Sequence, residues 1–326
     1  MTNTLDTRSL VPVLAQPKIA LGGSTIDQFD ALAPVLTPLG YGVISKALEP
    51  GANLINTPLI LWGATNPEAA DLAAIAQLGQ AAAYQEATLI NFCRLDPAIA
   101  ALWGSLDDGV MGGVSTSQIQ WQGGLRFSGQ VSTANSGGFA SIRTRNLEPP
   151  LNLSQWQGTV LHAQGDGQRY KWILRDNPGW DSLAYCRSFD TEATGSNVIR
   201  TSFLDMVATR RARTVPEASP LNPAQLYSMQ LMLSKFEYDG DLNPAFSPGD
   251  FELTVQSLGV YRQGAKPVIV LPKSSPEMVA QLKVAGLTGV VPHNQSFAVI
   301  GASTGLPPEI PIAVIEQILQ TLRQSD

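Results

Sequence analysis

The chain has 326 residues, 44% hydrophobic and 15% charged, with 21 Lys and Arg against 27 Asp and Glu for a net charge of −6. That balance excludes the overall basic footprint of a nucleic-acid binder. The charged fraction, low against about 25% in typical soluble domains, points to large buried cores or a surface covered by a partner.

Residues 1–17 read as a flexible arm with no basic stretch ahead of an apolar one, so no secretion signal is expected. The two cysteines, Cys93 and Cys186, then read as reduced thiols in a reducing compartment. The longest apolar run, around 55–62, is broken by Asn56 and Pro58 and falls short of the ~20 residues of a membrane helix. The expected location is cytoplasmic.

From Lys18 short apolar strands alternate with helical segments. Lys18–Leu21, Tyr41–Ser45, Leu59–Trp62 and Thr88–Phe92 read as strands. Ser24 or Thr25 can cap a helix through Phe29, Leu32, Ala33 and Leu36, interrupted by Pro34 and Pro38, with Gly40 placed to end it. Asn66 and Pro67 open a clearer helix through Ala69, Leu72, Ile75, Ala76, Leu78 and Ala82. This alternation predicts an α/β layer with a mainly parallel sheet over 18–93.

Near Asp96 and Pro97 the pattern changes. Ser117–Trp121, Leu125–Val131, Phe139–Arg143, Thr159–Ala163, Tyr170–Arg175, Leu183–Ser188, Asn197–Thr201, Tyr227–Leu233 and Phe251–Tyr261 are short alternating stretches separated by Gly, Pro, Asn and Asp. They predict an antiparallel β-sandwich over 94–263. After Gly264 the α/β pattern returns over 264–326. Pro267–Leu271, Thr288–Val291 and Phe297–Ile300 read as strands, and helices are expected over 276–284 and 309–323. Roughly 60 residues make a poor domain alone. The expected organisation is therefore one α/β unit, built from 18–93 and 264–326, with the sandwich inserted between its parts.

The most distinctive stretch lies at the start of the sandwich. After Trp103 come Asp107, Asp108, Gly109, Met111, Gly112, Gly113 and Ser115. Three glycines in five residues specify an unusual backbone path. Further on stand Gly137, Gly138, Phe139, Ser141 and Arg143, then Asp166, Arg169 and Tyr170. Over roughly 92–262 these motifs keep the order of, and together resemble, the complex I intermediate-associated protein family, a thirty-kilodalton assembly factor of respiratory complex I with bacterial and plastid relatives. The resemblance implies a jelly roll similar to galactose-binding domains. It also implies a non-catalytic role as an assembly or stability factor that binds protein subunits or intermediates of a membrane electron-transport complex. The target is respiratory or photosynthetic complex I, or a photosystem. The residues just named are then partner-binding or loop-defining. A second resemblance points the same way: some cyanobacterial and chloroplast relatives join this β domain to an atypical short-chain dehydrogenase-like Rossmann unit, and one chloroplast member acts in translation and assembly of a photosystem II subunit.

Each motif also has a plainer reading. Gly63 and Thr65 follow a strand and open a helix, and Gly301 and Gly305 form a second glycine turn, as a dinucleotide cradle requires. The first keeps one of three glycines and the second runs into Pro307 and Pro308. The expectation is a fold without cofactor, the rival being an NADP-binding oxidoreductase-like or redox-sensing protein. Paired carboxylates such as Asp107 and Asp108 serve in glycoside cleavage, but neighbours along a strand point to opposite faces, and an Asp in a glycine-rich turn commonly accepts backbone N–H bonds. Trp103, Trp121, Trp156, Trp172 and Trp180 would suit a carbohydrate-binding module if exposed, though in a sandwich such rings are more often core. Arg143, Arg169, Lys171 and Arg175 are the cations placed to face a partner carboxylate or phosphate. Arg210, Arg211 and Arg213 are the single local cluster for an RNA-associated translation factor, and their plain reading is a solvated turn. Neither a metal-spaced His/Cys/Asp cluster nor a nucleophile elbow is present in the sequence.

Overall fold

The computed structural model describes residues 10–22, 32–44, 54–57, 59–62, 84–94 and 96–263, the backbone of 268–272, 291–293 and 297–300, and the single positions 74, 280, 284 and 320. In chain order the first strands are β1 (Val13–Leu14), β2 (Lys18–Gly22), β3 (Gly42–Ile44), β4 (Leu59–Trp62), β5 (Tyr84–Asn91) and β6 (Trp103–Ser105). Then come β7 (Thr116–Trp121), β8 (Leu125–Val131), β9 (Phe139–Thr144), β10 (Gly158–Gln164), β11 (Arg169–Arg175) and β12 (Ala184–Asp190). They are followed by β13 (Asn197–Ser202), β14 (Val207–Arg210), β15 (Arg213–Thr214), β16 (Ser228–Ser234) and β17 (Gly249–Gln263). The last are β18 (Val268–Pro272), β19 (Val291–His293) and β20 (Phe297–Ile300). The chain divides into two compact units, residues 1–13 with 87–262, and residues 14–86 with 263–326.

The smaller unit holds a six-stranded sheet in the order β19-β20-β18-β4-β2-β3. Strands β18, β4, β2 and β3 run parallel, while β20 and β19 are antiparallel additions at one edge. Ile19, Leu59, Ile60 and Leu61 are fully buried, as expected of central parallel strands. Of the first expected helix, the described part is α1 (Ala33–Leu36) and a 3-10 turn (Thr37–Leu39) that ends at Gly40 with φ 88°. The helices expected over 66–82, 276–284 and 309–323 lie outside the described residues, apart from helical positions 74, 280, 284 and 320. The arm expected over 1–17 is in part a strand: Val13 and Leu14 form β1 beside β5.

The larger unit is an antiparallel β-sandwich. One sheet runs β1-β5-β17-β10-β13, with β8 and β7 joined along the first half of β17. The other runs β15-β14-β12-β11-β16-β9-β6. Residue alternation explains the packing. On β11, Tyr170, Trp172 and Leu174 turn into the core while Lys171, Ile173 and Arg175 take the opposite face. Met229, Leu231 and Leu233 on β16, and Phe251, Leu253 and Val255 on β17, complete the same core. The two sheets meet through Phe127, whose ring lies 4.8 Å from Phe251 and 6.4 Å from Tyr170. They are also hydrogen-bonded across the core: Trp172 Nε1 donates to Thr159 Oγ1 at 3.0 Å. Asp96 caps α2 (Pro97–Ala100), with Pro97 at the first helical position, and α2 leads into β6 and the loop beyond it.

Candidate functional site

The acidic stretch sits at one end of the second sheet, between β6 and β7, and its two carboxylates point to different partners. Asp107 accepts from Ser117 N and Ser117 Oγ, both at 2.7 Å, and from Ser141 N at 2.9 Å. Asp108 is 1% exposed. It accepts from Ser115 N at 2.9 Å, Ser115 Oγ at 2.7 Å, Gly138 N at 2.7 Å and Phe139 N at 3.2 Å. Ser115 Oγ in turn accepts from Ser132 N. A single carboxylate thus fastens the 106–115 loop to the 132–139 loop. Burial by itself pushes Asp108 up, but the bonds from Ser115, Gly138 and Phe139 more than offset it and hold the carboxyl below the usual range.

Glycines on both loops are required for this arrangement: a Cβ on Gly137 would stand 2.5 Å from Asp108 Oδ2, and Gly138 has φ 140°. A Cβ on Gly113 would stand 2.3 Å from the Asp108 carboxyl carbon, inside any allowed contact. Gly112 closes the 3-10 turn Asp108–Met111 at φ 88°, in the left-handed region. The turn so held lifts apolar side chains into solvent: Val110 is 71% exposed, Met111 78% and Val114 51%. Residue patterning picks out Met111 but misses Val110 and Val114. Their signal is apolar residues between glycines in a turn too short to bury them.

The remaining predicted positions separate into two sets. Trp103, Ser115, Ser141 and Tyr170 are buried, and Gly109 is exposed. Trp103 packs edge-on to Phe92 at 6.1 Å. Tyr170 donates to Asp166 at 2.9 Å and is raised by burial and by that carboxylate. Asp166 also accepts from Gln168 N and Glu252 N, so it ties a turn together. Arg169 does not face outward as a free cation: it pairs with Glu237 at 2.8 Å and Asp190 at 2.7 Å. Ser141 Oγ donates to Leu106 O and accepts from Gln230 Nε2 at 3.0 Å. The turns at Gly63, Thr65, Gly301 and Gly305 lie outside the described residues.

The outer face of the second sheet carries a groove of about 610 Å³, lined among others by Phe139, Lys171, Ile173, Arg175, Met232 and Tyr238. Lys171 is 6% exposed. Its ammonium donates to the carbonyls of Phe236 and Glu237 and lies 4.9 Å from the Tyr238 ring centre. Burial lowers its basicity. Of the five sandwich tryptophans Trp180 is exposed, at 72%, while the others are buried or partly buried. Arg210, Arg211 and Arg213 belong to a two-residue hairpin between β14 and β15, in which Arg211 and Ala212 take φ values of 51° and 61°. Arg211 there pairs with Asp181 at 2.9 Å. Among the described residues, no group of three or more His, Cys, Asp or Glu is placed to hold a metal, and no helix is long and apolar enough to cross a membrane.

A model of the complex I intermediate-associated protein 30 family matches residues 93–255, the span that contains both loops and the grooved sheet. No curated protein matches the chain. Among solved structures, the sandwich is similar to a family 11 carbohydrate-binding module from Clostridium thermocellum, seen with a β-1,3-1,4-mixed-linked tetrasaccharide. The two share 15% identity over 54% of this chain and 94% of that one, with a TM-score of 0.38. A variant of a family 29 carbohydrate-binding module matches at 10% identity over 55% and 92%, with a TM-score of 0.29.

Proposed function

The chain belongs to the complex I intermediate-associated protein 30 family, and we propose that it works as a non-catalytic assembly or stability factor. In this reading it binds subunits or intermediates of a membrane electron-transport complex, either respiratory or photosynthetic complex I or a photosystem. It reaches the membrane through those partners and uses no cofactor.

One observation carries the reading: a buried carboxylate network presents three apolar side chains to solvent. Val110, Met111 and Val114 are exposed at the tip of a turn whose backbone is fixed through Asp108 to a second loop. Exposed apolar groups on a fixed support suit a protein–protein contact, because little ordering is lost on docking. A methionine there adapts to irregular partner surfaces. The mechanism is holding: whatever binds the folded partner shifts it toward the bound state by mass action until the next subunit arrives. Asp108 is poorly suited to acid–base chemistry, since its oxygens are committed to four donors that keep it ionised.

Affinity capture of the tagged chain from its own cells in mild detergent, with mass spectrometry of the co-purified proteins, tests this. Stoichiometric subunits of a respiratory or photosynthetic complex, enriched in incomplete assemblies, are the expected result. A monomer that carries nucleotide or sugar and no such subunit would refute it.

A further inference from the structure

Two arginines on the outer face of the second sheet have no role in the loop network. The ladders set Cys186, Ile173, Gln230 and Arg143 in one row across β12, β11, β16 and β9. Arg175 lies two residues along β11 from Ile173, on the same face. Arg143 is 9% exposed. Its close companion is the ring of Trp180, 5.1 Å from the guanidinium carbon, and burial lowers its basicity with no neighbouring carboxylate to raise it. Arg175 donates to Gln230 Oε1 at 2.9 Å, while its Nε is buried without a hydrogen-bond partner. Burial first, and then the charge of Arg143, push Arg175 down to about 10. Two like charges therefore share this face, Arg143 buried and Arg175 half-buried, and among the described residues neither has a carboxylate partner. A buried guanidinium is unfavourable unless an anion meets it.

The surroundings narrow the anion. Arg175 and Gln230 line the groove of about 610 Å³, and across the Gln230 rung Arg143 lines a cleft of about 410 Å³ with Arg145 and Trp180. Ile173, Met232 and Phe236 supply the apolar part of the groove. Aliphatic and thioether groups of this kind accept varied side chains, and guanidinium forks match carboxylates in a bidentate way. The net charge of the chain is −6, and the carboxylates that line the groove, Asp108 and Glu237, are engaged by loop N–H groups and by Arg169, so the unmatched guanidinium charge is a local departure that selects for acidic partners.

We propose that this face binds an acidic polypeptide segment, whose carboxylate lies between Arg143 and Arg175 and whose apolar neighbours rest on Ile173, Met232 and Phe236. The choice of a polypeptide rests on the assembly-factor reading; the anion site itself rests on the two arginines.

The full chain titrated with a capped peptide alternating leucine and glutamate, and with its glutamine counterpart, tests the site in a calorimeter. The glutamate peptide is expected to bind on the order of tenfold tighter, as one charge-assisted contact supplies. Arg143→Met and Arg175→Met each remove that preference while Tm holds or rises, because each removes a charge that has no carboxylate partner. Should those variants fail to fold, inorganic phosphate decides the matter on the native chain by displacing the glutamate peptide. Equal binding of the two peptides, a preference that survives both substitutions, or no displacement by phosphate would overturn the proposal. Such a failure leaves the Val110–Val114 tip untouched, since the tip is read by co-purification and not by peptide preference.

Discussion

Asp108 joins two loops through one buried carboxylate, and its loss leaves four donors facing an unsuitable group. Asp108→Asn places an amide N–H₂ among donors, so roughly 2–4 kcal/mol of stability at pH 7 should go with it. Its pH dependence follows from the direction of the shift. The folded carboxyl titrates below its unfolded value of about 4. Its contribution is therefore complete above that value and is lost as pH falls through the lower folded one. Urea midpoints of the native chain and Asp108→Asn should differ by a constant amount between about pH 5 and 8 and converge below about pH 4. A gap that does not change with pH would show that geometry, not charge, carries the effect. A carboxylate in a glycine-rich turn is legible as an acceptor of N–H bonds. That Asp108 reaches Gly138 and Phe139, thirty residues on, depends on how β9 lies beside β6, which spacing does not encode.

Strands are the legible level, for a physical reason. Each sandwich strand buries one face, so its apolar residues recur every second position. The stretches expected at Leu125–Val131, Thr159–Ala163 and Tyr170–Arg175 match β8, β10 and β11 to within a residue at each end. Elements too short for that period escape notice: β6 has three residues, and β15 has two. Thr159→Val removes the acceptor of Trp172 Nε1 and leaves a buried N–H unpaired between the sheets. It should cost about 1–3 kcal/mol in chemical denaturation, although the side chains are nearly the same size. An unchanged midpoint would mean that this bond adds nothing to sheet association. In the β14–β15 hairpin, Ala212 sits at φ 61°, where a side chain costs roughly 1–2 kcal/mol. Glycine relieves that strain but adds about 0.4–1 kcal/mol of unfolded-state entropy. Ala212→Gly should therefore stabilise by up to about 1.5 kcal/mol, and a lower Tm would contradict the left-handed assignment.

For the chain as a whole, parallel and antiparallel sheets bury different faces and so read differently in sequence, but β5, read as part of the 18–93 layer, lies between β1 and β17 in the sandwich. Strand β4 reads as an unbroken apolar run, whereas the sandwich strands alternate. The row of Cys186, Ile173, Gln230 and Arg143 is not legible, since four strands far apart in the chain supply one residue each. Nor does residue type alone reveal that Val110, Met111 and Val114 face solvent while the acidic pair beside them is engaged inside.

An architectural carboxylate and an apolar tip can be separated by one paired measurement on Val110→Ser/Met111→Ser. Denaturation of the double variant should stay within about 0.5 kcal/mol of the native chain, as exposed substitutions do. Affinity capture of the native chain from cells should bring down electron-transport subunits, and the same capture of the variant should lose them. Full retention of those subunits by a folded double variant would rule out this division of roles, because the tip would then present nothing to a partner.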